Sequence, residues 1–349
     1  MGVLVTGGAG YIGSHMALQL LDAGEDVFVL DNLSTGFRWA VPNGAKFLEG
    51  DVGDEDLVSW LFKEHEIDSV IHFAGSIVVP ESVADPLGYY LNNTCKSRNL
   101  LACVVKAKIP NFVFSSTAAV YGIPKINPVT EDATLQPISP YGSSKLMTET
   151  MLSDTAKAHP LRFVALRYFN VAGADPKGRS GQSSASATHL IKVASEAALG
   201  LRPRLEVFGT DYETPDGTCV RDYIHVTDLV RAHLDALRYL RDGGESVVLN
   251  CGYGKGYSVL DVIEAVKRVS QSYFPVRLTD RRPGDPPELV AGAERIRDVL
   301  GWEPQLNDLD GIVGDAMSWE KRLKQVRVAS QDAAFLPLQR QNHPPQSAS

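Results

Sequence analysis

Cysteine is scarce in this chain, with only Cys95, Cys103, Cys219 and Cys251 among 349 residues. No two of them stand in C-x-x-C spacing. No metal site or dithiol redox centre is therefore expected, and the thiols read as the reduced, buried groups of a cytoplasmic protein. Long apolar runs are missing as well. No stretch is long enough to span a bilayer, and the chain opens straight into Gly2-Val3-Leu4-Val5 without a basic segment and cleavage site. A membrane partner is not expected. An excess of positive charge is absent too. The 34 Lys and Arg against 42 Asp and Glu leave a net charge of −8, which speaks against nucleic acid as a partner. A small anionic ligand stays open, because it needs only local cations. Internal repeats are also lacking.

What is present is a globular composition, 44% hydrophobic and 22% charged, at a length that suits about two domains around a large core. Short apolar runs at 2–6, 27–30, 45–48, 69–73, 111–115 and 161–167 alternate with helical patterns. The alternation predicts an α/β fold, a Rossmann-type doubly wound parallel sheet. Ligands of such sheets bind beyond the carboxyl ends of the strands. Asp31, Asp51, Ala74-Gly75, Thr117 and Tyr168-Phe169-Asn170 all fall at such ends.

The first of these turns is Gly7-Gly8-Ala9-Gly10-Tyr11-Ile12-Gly13, between a strand and a helix. Gly7, Gly10 and Gly13 suit a tight turn, close approach of backbone amides to a pyrophosphate, and close packing of helix on strand. Asp31 ends the second strand, where a carboxylate accepts hydrogen bonds from adenosine ribose hydroxyls. A carboxylate there repels a 2′-phosphate, so NAD is favoured over NADP, with Arg38 the one nearby cation that could soften the preference.

Thr117 and the run Tyr141-Gly142-Ser143-Ser144-Lys145 carry the chemistry. A free tyrosine, with a pKa of about 10, is a poor base. On a helix capped by Ser139-Pro140, Tyr141 and Lys145 share a face, and an adjacent ammonium lowers the pKa of a phenol. Beyond Asn170, residues 171–186 read as a long functional loop. Further on, Arg221 and Arg282 lie in polar, turn-rich surroundings that suit a grip on a diphosphate. Phe208 reads equally as a base-stacking ring or as core. Residues 226–250 return to helix and strand and rejoin the first domain, the last helix runs to about Gln325, and the Gln-, Pro- and Ser-rich tail reads as disordered.

Together T-G-G-A-G-Y-I-G, D-N-L, H-F-A-G, F-S-S-T-A-A-V-Y-G, S-P-Y-G-x-S-K, L-R-Y-F-N and V-R-D-Y-I-H-V resemble the extended short-chain dehydrogenase/reductase family. The closest likeness is to its branch that epimerises UDP-glucose and UDP-galactose at C4, and it covers residues 2 to about 325. The resemblance implies a tightly bound NAD that takes a hydride from C4 and returns it to the other face. It implies Tyr141 as the base, Thr117 beside the sugar oxygen, and Lys145 on the nicotinamide ribose, depressing the Tyr141 pKa. Cofactor positions carried over are Gly7, Gly10, Tyr11, Ile12, Gly13, Asp31, Asn32, Leu33, Ser34, Thr35, Gly36, Asp51, Val52, Phe73, Ala74, Gly75, Asn93, Ser115 and Phe169. UDP-sugar positions are Asn170, His189, Leu190, Val207, Phe208, Arg221, Arg282, Asp285 and Leu289. A homodimer is also implied.

The resemblance also sets the division of the chain. Residues 1–168, with about 224–252, form an NAD-binding domain. Residues 169–223 and 253–326 form a smaller mixed α/β UDP-sugar domain, and 327–349 a tail.

Three positions depart from the family pattern. Ile77 stands where many relatives have a lysine, His189 where an asparagine is common, and Leu289 where a bulky tyrosine restricts some relatives to unsubstituted hexoses. The smaller leucine implies room for a 2-acetamido group, so UDP-N-acetylhexosamine or a UDP-pentose is the alternative substrate. Ala118 and Ala119 occupy the places where related dehydratases and decarboxylases put an acid, which leaves elimination chemistry unsupported. A non-catalytic NAD-binding protein would show a damaged triad, and Thr117, Tyr141 and Lys145 are all intact.

Overall fold

Runs of Val, Ile, Leu and Phe without polar interruption suit strands covered on both faces, and the first such run is entirely buried. The computed structural model describes residues 1–184, 188–282 and 284–335. The strands of the first half are β1 Gly2–Thr6, β2 Asp26–Asp31, β3 Lys46–Glu49, β4 Ile67–His72, β5 Asn111–Ser115 and β6 Arg162–Tyr168. Then come β7 Asn170–Ala172, β8 Leu205–Phe208, β9 Val220–His225, β10 Val247–Cys251, β11 Gly256–Ser258, β12 Val276–Thr279 and β13 Glu288–Leu289.

Seven strands form one parallel sheet in the order β10-β6-β5-β4-β1-β2-β3. Successive side chains of a strand point to opposite faces. Val3 and Val5 accordingly join one core cluster, with Met16, Leu20, Leu229 and Leu237. Leu4 joins the other, with Val58, Leu61, Leu100 and Leu152. Helices thus cover both faces. The chain winds outward through β2 and β3 on one side of β1, and through β4, β5 and β6 on the other. The order reverses between β1 and β4, which opens a crevice at their carboxyl ends.

Beyond this sheet, β9 pairs in parallel with β7 and β13 and antiparallel with β11, while β8 pairs with β12. A third cluster packs the helices Leu190–Ala198, Val259–Ser270 and Leu309–Phe335 together through Ile191, Ala194, Val262, Val266, Ile312 and Met317.

Three local expectations change. Residues 86–108 are helical, but Tyr90–Cys95 widens into a π-helical segment, a form that recurs at functional sites. The expected loop after Asn170 opens with β7, because Asn170, Val171 and Ala172 pair with Tyr223, Ile224 and His225. The last helix runs on to Phe335 rather than ending at about Gln325. No Gly or Pro interrupts the chain between Gly314 and Pro337, so nothing breaks the helix earlier. The expected tail beyond residue 335 lies outside the described residues. Among the described residues no helix is long and apolar enough to cross a membrane, and no His/Cys/Asp/Glu group could hold a metal.

Candidate active site

The helix Pro140–Ala158 begins where the sequence places it. Ser139 is its N-cap, with Oγ accepting from the Gly142 amide at 3.2 Å, and Pro140 opens the first turn. Tyr141 and Lys145 therefore stand one turn apart on a buried face. Thr117 lies just past β5, where its Oγ1 accepts from the Ala119 amide at 3.1 Å. Its side chain also lies close enough to the Tyr141 phenol to oppose the effect of burial there. The three expected catalytic side chains meet at the carboxyl edge of the sheet.

The electrostatics differ from the sequence expectation. Burial pushes the Tyr141 phenol above its ordinary value, and the Thr117 side chain opposes that rise. The net direction at Tyr141 is upward, and Lys145 is not among its causes. The Lys145 ammonium donates to the Ser115 carbonyl at 2.9 Å and lies 4.9 Å from the Phe114 ring centroid. Burial lowers its own pKa to about 8, with Glu149 opposing. Ser115 also hydrogen-bonds the Tyr168 hydroxyl through Oγ at 2.7 Å.

The nucleotide crevice is close-packed. Gly7 has φ +71°, and a Cβ there would lie 2.7 Å from the Ala74 amide nitrogen. A Cβ on Gly13 would lie 2.1 Å from the Gly7 carbonyl oxygen. Only glycine allows β1, the next helix and the end of β4 to approach this way. Gly10 caps the helix Tyr11–Asp22 without a side-chain hydrogen bond, so the first amides face the crevice unspent. Asp31 accepts from the Ala9 amide at 2.9 Å and the Leu33 amide at 2.8 Å. That fixes its carboxylate over the turn, and Leu33 takes a left-handed φ of 56° to close the loop. Ser34 and Thr35 are exposed, and Gly36 is half-buried. These residues fit a dinucleotide.

Other expected cofactor residues are placed less directly. The Tyr11 hydroxyl donates to the Gly173 carbonyl at 2.7 Å, so it ties the turn to the loop after β7. Ile12 and Phe73 pack on the first core cluster, and Val52 and Phe169 are buried. The Asn93 amide group is taken up by the Ser76 backbone at 2.7 and 2.9 Å and by Ser144 Oγ at 3.1 Å. It couples the segment after Gly75 to the catalytic helix. Ile77 is exposed in that segment. Asp51 accepts from Lys96 at 2.5 Å, Gly53 at 2.8 Å and Asn32 at 3.3 Å. Burial works against its charge, but these bonds hold its pKa below the usual value.

A second group gathers the anion-binding candidates. The Arg282 guanidinium lies 4.4 Å over the Phe208 ring, and its Nε donates to Asp285 at 3.1 Å. Arg221 approaches the other Asp285 oxygen at 3.9 Å. Leu289 is the neighbour of Arg221 across β13 and β9. Asn170, His189 and Leu190 line a cavity with Tyr223 and Lys192, and burial lowers the His189 pKa. Val207 sits in the third core cluster, whereas its alternation partner Phe208 is half-exposed.

Sequence reasoning missed Lys96 and the buried Glu149 and Arg167. Glu149 alone carried a signal, since it repeats the Tyr141–Lys145 spacing.

Comparison with known proteins gives a family model, the NAD dependent epimerase/dehydratase family, over residues 3–252. A UDP-glucose 4-epimerase of Azospirillum brasilense is 59% identical over 323 residues, 93% of each chain. The crystal structure of UDP-glucose 4-epimerase from Brucella ovis in complex with NAD is 45% identical. It superposes with a TM-score of 0.88 over 91% of this chain and 97% of that one. The UDP-Glc/GlcNAc 4-epimerase from Campylobacter jejuni is 48% identical, with a TM-score of 0.81 over 92% of this chain and 99% of that one.

Proposed function

Because this chain belongs to the NAD dependent epimerase/dehydratase family, we propose that it interconverts UDP-galactose and UDP-glucose by inverting C4. The meeting of Thr117, Tyr141 and Lys145 beside the Gly7–Gly13 turn carries this reading. Bound NAD supplies the oxidant and then the reductant for C4, and its positive charge favours the phenolate. The Gly7–Gly13 turn and Asp31 hold it. Tyr141 takes the proton of the sugar 4-hydroxyl on its phenolic oxygen and later returns it. Thr117 orients both oxygens by hydrogen bonding. Lys145 contributes a fixed positive charge from a water-poor site. Ala118 and Ala119 offer no second acid, so the proton has one acceptor and elimination has none.

The UDP moiety falls to the second group. Arg221 and Arg282 pair with the diphosphate, and Phe208 offers its face to the uracil. Asn170, His189 and Leu190 support the sugar side. The nucleotide lobe then comprises 1–168 with about 224–252, and the UDP-sugar lobe 169–223 and 253–326. Conversion of UDP-galactose by the purified protein, with no cofactor added, tests the whole reading. UDP-glucose is the expected product, and no conversion even with NAD supplied overturns it.

The chain works as a homodimer in the cytoplasm, where its four thiols stay reduced. Val83, Leu87, Leu91 and Met147 leave an exposed apolar face on adjoining helices, which suits a second copy. Leu87→Glu should shift sedimentation toward monomer, and an unchanged wild-type monomer would sink the dimer.

A further inference from the structure

Behind the catalytic group lies a buried charged network that the chemistry above does not use. Glu149 sits one turn beyond Lys145 on the same helix face. Its carboxylate receives Arg167 Nη2 at 2.6 Å and Nε at 3.0 Å. The Ser116 hydroxyl donates to the same carboxylate, and Ser116 directly precedes Thr117. Arg167 also donates to the Tyr121 hydroxyl at 3.0 Å, which donates to Asn250 at 2.7 Å. The Asn250 amide reaches the Val129 and Gly292 carbonyls at 2.8 and 3.2 Å, beside the segment that carries Leu289. All five side chains are buried.

Stability alone is a poor reason for such an arrangement. A buried ion pair costs desolvation on both sides and is often replaceable by apolar residues without loss. Position gives a better reason. The carboxylate grips the residue before Thr117, and its charge opposes the effect of burial on Lys145. Other groups face Lys145. Tyr141 lies on its own helix, and Ser115 of β5 presents a carbonyl. Tyr168 of β6 reaches the same place through Ser115. His72 of β4 is neutral, because burial drives its pKa to about 3. Arg167 of β6 is matched to Glu149 itself. No other carboxylate acts on Lys145 among the described residues.

We propose that Glu149 is a positioning residue for the epimerisation: clamped by Arg167, it holds the Ser116–Thr117 strand end against Tyr141 and sets a carboxylate one helical turn from Lys145. The proposal rests on the reading of Tyr141 as the base. It is tested with full-length Glu149→Gln, purified with its cofactor. KM for UDP-galactose should stay within about 3-fold of wild type while kcat falls by about 10-fold or more. Without the carboxylate Lys145 loses its proton more easily, so the alkaline limb of the kcat–pH profile should move to lower pH. Ser116→Ala keeps the Glu149–Arg167 pair and cuts only the link to Thr117. It should lower kcat with the limb in place, and it decides the positioning role if Glu149→Gln does not fold. Wild-type kcat in Ser116→Ala, or a uniform loss in Glu149→Gln with an unmoved limb, overturns the proposal. If wild type itself fails to convert UDP-galactose, the family reading fails instead.

Discussion

Lys145 donates to the Ser115 carbonyl at 2.9 Å, and this bond is what the fold offers an ammonium that is 3% exposed. The bond does not cancel the desolvation, since the pKa is lowered to about 8. The unfolded chain holds the proton up to about 10.4. Below pH 8 both states are protonated and the cost of burial is present in full. Between about 8 and 10.4 the unfolded chain binds more protons, so this group makes stability rise with pH. Lys145→Met removes the cost. At pH 7 it should stabilise the fold by about 1–3 kcal/mol, and the advantage over wild type should shrink toward pH 10. Turnover should fall by at least about 100-fold. Thermal melts across pH check this, and an advantage that grows with pH would refute it.

The Tyr141 phenol is buried, and the Thr117 side chain opposes the effect of that burial on its pKa. Tyr141→Phe keeps the ring and its packing but deletes the proton acceptor. We expect kcat to drop by about 100- to 10,000-fold. UDP-sugar affinity should stay near wild type, because Arg221 and Arg282 are untouched. Calorimetric titration with UDP-galactose, set beside steady-state rates, separates the two quantities. Near-full kcat in the variant would mean that another group is the base.

The sheet was legible because buried parallel strands write themselves as unbroken apolar runs, as in Val70-Ile71 and Phe112-Val113-Phe114. The start of the catalytic helix was legible from Ser139-Pro140, and the nucleotide turn from Gly7 and Gly13. Short strands such as β13 are two residues long and carry no periodicity. Lys96 and Arg167 were missed for another reason. Each is aimed at a residue far along the chain, Asp51 and Glu149 respectively, and no local pattern announces such a pairing. The upward direction at Tyr141 was not legible because sequence shows the neighbouring lysine but not the depth of burial.

Arg221 is more enclosed than Arg282, with side-chain exposures of 12% and 45%. Its Nη1 is also fixed by the Val220 carbonyl at 2.9 Å. A preordered cation pays less entropy on binding a diphosphate. Arg221→Ala should therefore raise KM for UDP-sugars by about 10- to 100-fold, the range for a charged hydrogen bond of about 1.5–3 kcal/mol. Arg282→Ala should cost less. Initial rates over a UDP-galactose series give both values, and a larger KM change at Arg282 would reverse the assignment.

Leu289 is buried on β13, paired with Arg221 of β9. Its side chain lacks the outer half of a tyrosine ring and the hydroxyl, and the proposed sugar pocket gains that volume. The wild type should turn over UDP-N-acetylgalactosamine as well as UDP-galactose. Leu289→Tyr should cut kcat/KM for the acetamido sugar by about 10-fold or more, since overpacking a filled site costs about 1–3 kcal/mol. UDP-galactose turnover should change little, because the plain 2-hydroxyl needs none of that space. Competition assays with both sugars in one vessel report the ratio directly. No detectable turnover of UDP-N-acetylgalactosamine by wild type would remove Leu289 as the determinant of sugar size.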